Sequence, residues 1–108
     1  NGNTTFVVYS LGNFINAQSS ADNTIGAILD VYFDKTTKPD GSSSITIRDP
    51  KLHCVISQYE AGYKNIRVIP YSQYTDELGA AHGVFTLSRA YIESVLYGAI
   101  DEQFITLD

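Results

Sequence analysis

Ten residues, Ile25 to Asp34, alternate in character one by one. Ile25, Ala27, Leu29, Val31 and Phe33 fall on one face, and Gly26, Ile28, Asp30, Tyr32 and Asp34 on the other. That period of two predicts a strand with one buried and one mixed face. Pro39-Asp40-Gly41, inside Lys35 to Ser44, has turn chemistry. The chain then returns as Ser44 to Arg48, so a hairpin with a long loop is expected. Two neighbouring strands joined in this way are antiparallel, which commits the chain to an antiparallel sheet.

The rest of the chain extends that sheet. Thr4 to Leu11 is rich in β-branched and aromatic residues and predicts a strand before the hairpin. Gly12-Asn13 ends it, since both residues tolerate positive φ. Asn16 to Asn23 is small and polar, a surface loop. Asp49-Pro50 interrupts the returning strand, where proline removes a ladder hydrogen bond; a bulge or an edge position is expected. Leu52 to Gln58 resumes the strand. A turn at Ala61-Gly62 leads to Asn65 to Pro70. The expected architecture is α+β, an antiparallel meander of about five strands with a C-terminal helix.

The character changes after Tyr71. Tyr74 to Gly83 reads as a polar loop. Ser88 is a suitable helix N-cap. Ile92, Val95, Leu96 and Ala99 recur at spacings of three and four, forming one apolar stripe that predicts a helix packed on the sheet and ending near Gly98 to Asp101. Phe104 to Leu107 reads as a short last strand. The β-rich part is thus 1–74, and loop plus helix occupy 75–108.

With 108 residues, 44% hydrophobic and 18% charged, the chain suits one globular domain. A net charge of −5 with seven scattered basic residues disfavours nucleic acid, which needs clustered Lys and Arg. No apolar run is long enough for a transmembrane helix, so no direct membrane insertion is expected. The chain contains no methionine and begins Asn-Gly-Asn, which reads as a piece of a longer polypeptide. Cys54 is the sole cysteine, so no internal disulfide forms; this fits either a reducing compartment or a bacterial secreted protein built without disulfides. Adjacent strand residues face opposite ways, so His53 and Cys54 do not form a catalytic dyad, and Cys54 is expected to be buried.

Other candidate chemistry is thin. His53 and His82 are the two histidines, with Asp76 and Glu77 near the second, and no zinc-type spacing occurs. Asp30 and Asp34 share a strand face, but ~3.3 Å per residue separates their Cα atoms by about 13 Å, too far for a dyad. Ser10 has Gly12 two residues on but Val8 two before, so it lacks the nucleophile elbow. Gly41 to Ser44 has no phosphate-loop lysine. Tyr59, Tyr63, Tyr71 and Tyr74 either line a binding or subunit surface or cover the edge of the core. Asn3-Thr4-Thr5 matches a glycosylation sequon.

One stretch carries a family resemblance. Val7-Val8-Tyr9-Ser10-Leu11-Gly12-Asn13-Phe14-Ile15, then Gln18, then Gly26-Ala27-Ile28-Leu29-Asp30-Val31-Tyr32-Phe33, with Val68-Ile69-Pro70-Tyr71 in order behind them, resembles the C-terminal segment of the CapA family of bacterial capsule and poly-γ-glutamate proteins. The resemblance implies a fragment of a four-layer α/β/β/α sandwich similar to calcineurin-like metallophosphoesterases. It implies a site rim at Ser10, Gly12 and Asn13. The family's Asp, His and Asn ligand loops lie upstream of this motif, so no metal or other cofactor is expected in this segment, while a divalent metal in a full-length parent is. It also implies a cell-surface or extracytoplasmic setting, with the remainder of the parent or a second copy as partner through exposed sheet surface. The alternative is a self-contained β-rich binding domain presenting a tyrosine-rich surface.

Overall fold

The computed structural model describes residues 5–108. The fold is α+β: among the described residues there are four strands in one sheet and two α-helices. The strands are β1 (Ile25–Thr37), β2 (Ser43–Glu60), β3 (Lys64–Pro70) and β4 (Ile105–Thr106); the helices are α1 (Asp76–Ala80) and α2 (Arg89–Ala99). β1, β2 and β3 form an antiparallel meander. β4 lies parallel to β2, with Leu52 opposite Ile105.

The alternation seen in the sequence sets the register. Ile25 pairs with Ile56 and Leu29 with Leu52. What read as two strands around Asp49-Pro50 is one strand with a bulge. Asp30 faces Lys51 and Tyr32 faces Arg48, so Asp49 and Pro50 together oppose Val31. Asp49 takes the extra turn at φ +52°, the left-handed first position of such a bulge. The turn between β2 and β3 ends in a second one, with Asn65 at φ +52°.

Other expectations are corrected. The described part of the predicted Thr4–Leu11 strand is not a strand; Thr4 itself lies outside the described residues, as does Asn3 of the sequon. A strand needs a ladder, and this segment meets the sheet through one bond, Ala27 N–H to the Leu11 carbonyl at 2.8 Å. It then crosses the sheet face, and Phe6 meets Phe104 edge-on at 5.0 Å. The hairpin loop is short, Lys38 to Ser42, because β1 runs three residues beyond Asp34. The polar stretch from Tyr74 contains α1, whose N-cap Thr75 accepts the Leu78 N–H.

The core lies between the sheet and α2. Ile25, Cys54, Ile56, Ile69, Leu87, Ile92 and Leu96 are buried there together with Tyr71 and Tyr74. Ser88 caps α2 by accepting the Tyr91 N–H. Arg89 stacks on Tyr71 at 4.2 Å and donates to backbone carbonyls of Tyr71 and Tyr74, which locks the start of α2 to the chain leaving β3. Ala99, at the end of the predicted stripe, is exposed.

Of the two readings of the four tyrosines, surface or core edge, the core reading holds for three. Tyr59, Tyr71 and Tyr74 are essentially fully buried, and of the four Tyr63 is the exposed one. Their hydroxyls find internal acceptors: the Gln18 carbonyl for Tyr59, Glu93 for Tyr71, and Gln58 and the Leu87 carbonyl for Tyr74. A buried hydroxyl with a partner costs little, so the rings serve as core.

Beyond the bulge the β1–β2 hairpin leaves the body as a two-stranded arm. The molecule measures 61 × 24 × 21 Å as a result. Phe33, assigned by alternation to the buried face, is 66% exposed because that face runs past the core it was expected to cover.

Candidate functional site

The motif Ser10 to Phe14 forms a turn against the start of β1. Gly12 sits at φ +74°, and its N–H is accepted by the Ser10 hydroxyl oxygen at 3.2 Å. The Leu11 carbonyl holds the edge of β1 at Ala27. The chain then passes so close over Gly26 that a Cβ there would stand 2.6 Å from the Asn13 carbonyl oxygen. Glycine is required at both points, at Gly12 for the left-handed backbone and at Gly26 for the approach.

The segment after the turn is held down by β2. Asn16 donates through Nδ2 to the Asn23 carbonyl at 3.0 Å and to Ser57 Oγ at 3.2 Å. The Ser57 hydroxyl reaches the Phe14 carbonyl at 3.5 Å. Asn16 Oδ1 accepts the Gln18 N–H at 3.3 Å, and Tyr59 donates to the Gln18 carbonyl. From behind, His82 places Nε2 3.3 Å from the Ser57 carbonyl. Of these, His82 and Tyr59 are singled out in the sequence, as a metal candidate and as one of the clustered tyrosines, whereas Asn16 and Ser57 are not legible there. An amide in a small polar loop was the one available signal, and its partner lies 41 positions away.

Ser10, Leu11 and Gly12 form one wall of a groove of about 470 Å³. Its floor and far wall include Ile25, Leu52, Leu96 and Ile100. Asp101 is its one ionisable carboxylate, and no histidine, cysteine or lysine lines it. The described lining is mostly apolar, with Ser10 and Asp101 as its polar side chains besides the Tyr9 hydroxyl. Of the three residues that the resemblance marks as a rim, Ser10 and Gly12 line the groove, and Asn13 is exposed and not part of its lining.

The remaining candidates lie apart. Cys54 is 2% exposed, and burial pushes its thiol up to about 12. His53 stands on the opposite face, with Nε2 3.6 Å from Asp30 Oδ2. Asp34 is bound by Arg48 at 2.8 Å, and that hydrogen bond holds its carboxyl below the usual range. Among the described residues no three His, Cys, Asp or Glu side chains converge as a metal site requires. The described residues thus offer no ligand set for the divalent metal that the resemblance implies for a parent. No helix among them is long and apolar enough to cross a membrane.

No family model, curated protein or solved structure matches this chain.

Proposed function

We propose that this chain is the C-terminal portion of a CapA-like protein that acts in bacterial capsule or poly-γ-glutamate production at the cell surface, with no catalytic set of its own. In that reading it is one part of a four-layer metallophosphoesterase-like sandwich. The remainder of the parent chain is its partner, and any divalent metal is held by that remainder. Ser10, Gly12 and Asn13 form the rim that this segment contributes.

The observation that carries the reading is the meeting of Gly12-Asn13 with Gly26. The two stretches that carry the resemblance are separated in sequence by a polar loop, yet they fit as one backbone-to-backbone unit. The apolar wall of Val7, Tyr9, Phe14 and Ile15 beside it is largely exposed, as expected where another layer of a sandwich is to pack.

The coding sequence upstream of Asn1 tests this. Asp- and His-bearing loops ending in a Gly-His-x-His motif a few codons before Asn1 support the reading. Loss of surface polymer on deletion of the gene supports the pathway. An unrelated upstream domain overturns both.

A further inference from the structure

We propose that two copies of this chain pair through the free edge of β1, antiparallel and centred on Phe33, so that their arms join in one continuous sheet. The Ala27 N–H points away from β2 to the Leu11 carbonyl. Backbone groups alternate sides along a strand, so the N–H and C=O of Leu29, Val31, Phe33 and Lys35 point the same outward way. Among the described residues β1 has β2 as its one strand partner. The N-terminal segment leaves this edge beyond Ala27, because it crosses the sheet toward Phe104.

An arm of two strands is marginal in water without a third. This one also exposes Phe33, Ile45 and Ile47. Register places all three on one face, since Phe33 opposes Ile47 and Lys35 opposes Ile45. β1 holds no proline and one lysine, Lys35, and its other charges are Asp30 and Asp34.

The charges permit a second copy and narrow its register. The free span Ile28 to Thr37 has its midpoint between Tyr32 and Phe33. Self-pairing centred on Tyr32 sets Asp30 of each copy opposite Asp34 of the other. Centring on Asp34 sets that residue against itself. Centring on Phe33 sets Val31 opposite the second copy's Lys35, Tyr32 opposite its Asp34 and Asp30 opposite its Thr36. No like charges meet over Leu29 to Thr37. Phe33 also has the outward N–H and C=O that a hydrogen-bonded pair on the axis needs. Such self-complementarity is what an isologous contact requires, and it closes at two.

Sedimentation across a concentration range is the first test, with a reversible dimer expected. Phe33→Glu sets two carboxylates across the axis and should weaken the dimer by about tenfold or more, with an unchanged circular dichroism spectrum. Phe33→Cys should cross-link under mild oxidation, because Cα atoms of such a pair lie about 5.5 Å apart. Tyr32→Cys, on the other face and opposite Asp34, should not. A chain that stays monomeric overturns the pairing. So does association that Phe33→Glu leaves intact or that Tyr32→Cys captures in place of Phe33→Cys, which would point to the apolar groove or to another register. The inference goes beyond the family reading: none of these results bears on the upstream coding sequence, and that sequence does not decide them.

Discussion

Gly26 lies beneath Asn13 with no room for a side chain: a Cβ would stand 2.6 Å from the Asn13 carbonyl oxygen. That contact fixes the entry of β1 against the Ser10–Phe14 turn, and with it one wall of the groove. Gly26→Ala must push backbone against backbone, and overpacking of this kind costs about 1–3 kcal/mol. Gly12→Ala meets the Ile25 carbonyl at 3.0 Å and keeps φ at +74°, where the left-handed backbone alone costs about 1–2 kcal/mol. Urea unfolding of both variants should show lower midpoints with unchanged slopes. Midpoints equal to the parent chain's would mean that the turn is not packed on β1.

His82 makes stability depend on pH. It stacks on Phe85 at 4.2 Å and meets Tyr59 edge-on at 4.4 Å. Nδ1 accepts the Val84 N–H and Nε2 donates to the Ser57 carbonyl, so a second ring proton has no acceptor. Burial holds the imidazole below its ordinary value. The unfolded chain then takes up the proton first, near pH 6.5. The contribution is complete above that pH and is lost as pH falls from there through the lowered folded value. Each unit of depression withdraws about 1.4 kcal/mol. Thermal melts should fall between pH 7.5 and 5.5. His82→Gln should reduce that slope; an unchanged slope would sink the assignment.

Cys54 should be inert in the folded chain. With the thiol pushed up to about 12, the thiolate at pH 8 is roughly one part in ten thousand. Ellman's reagent should label it at the rate of unfolding and promptly in denaturant. Fast labelling of the native chain would contradict its burial.

Gln58 and Tyr74 act as a unit. Gln58 donates to the Leu78 carbonyl at 2.7 Å, and its Oε1 accepts from the Tyr74 hydroxyl at 3.3 Å, tying β2 to α1. Gln58→Leu strands the Leu78 carbonyl and should cost about 1–3 kcal/mol. Tyr74→Phe removes the other end. Because the bonds are shared, the double variant should lose less than the sum of the singles, by about 0.5–3 kcal/mol. Strict additivity in chemical denaturation would show that the two residues do not communicate.

What the sequence makes legible here is what depends on neighbours close in the chain. Most of β1 follows from alternation, the two halves of β2 and the irregularity between them from the hairpin turn and Asp49-Pro50, the start of α2 from Ser88, and the turn from Gly12. The failures are nonlocal. Thr5 to Leu11 has strand composition, but a strand also needs a partner's ladder, and β1 offers it one bond at Ala27. The tyrosines stay open between surface and core edge in the sequence, because the acceptors that let Tyr59, Tyr71 and Tyr74 be buried, Gln18, Glu93 and Gln58, lie 16 to 41 positions away. Ser10 and Gly12 of the motif line the groove, whereas the Asn16–Ser57 tie that holds the adjoining loop joins residues no local pattern connects. α1 is five residues long, too short for periodicity to announce.

Two further glycines, both with open space around them, separate backbone from packing. Gly98 lies in α2, and a Cβ there meets nothing within 4 Å. Gly98→Ala therefore adds helix propensity without a clash and should stabilise the chain by about 0.5–1 kcal/mol. Gly41, at the hairpin tip, is equally open but holds φ at +88°. Gly41→Ala gains no helix and must carry a side chain in a left-handed turn, so it should destabilise by about 1 kcal/mol. Opposite shifts in melting temperature are expected from one chemical change at two uncrowded sites. Shifts of the same sign would mean that one of the two backbones departs from the geometry described for α2 and the arm tip.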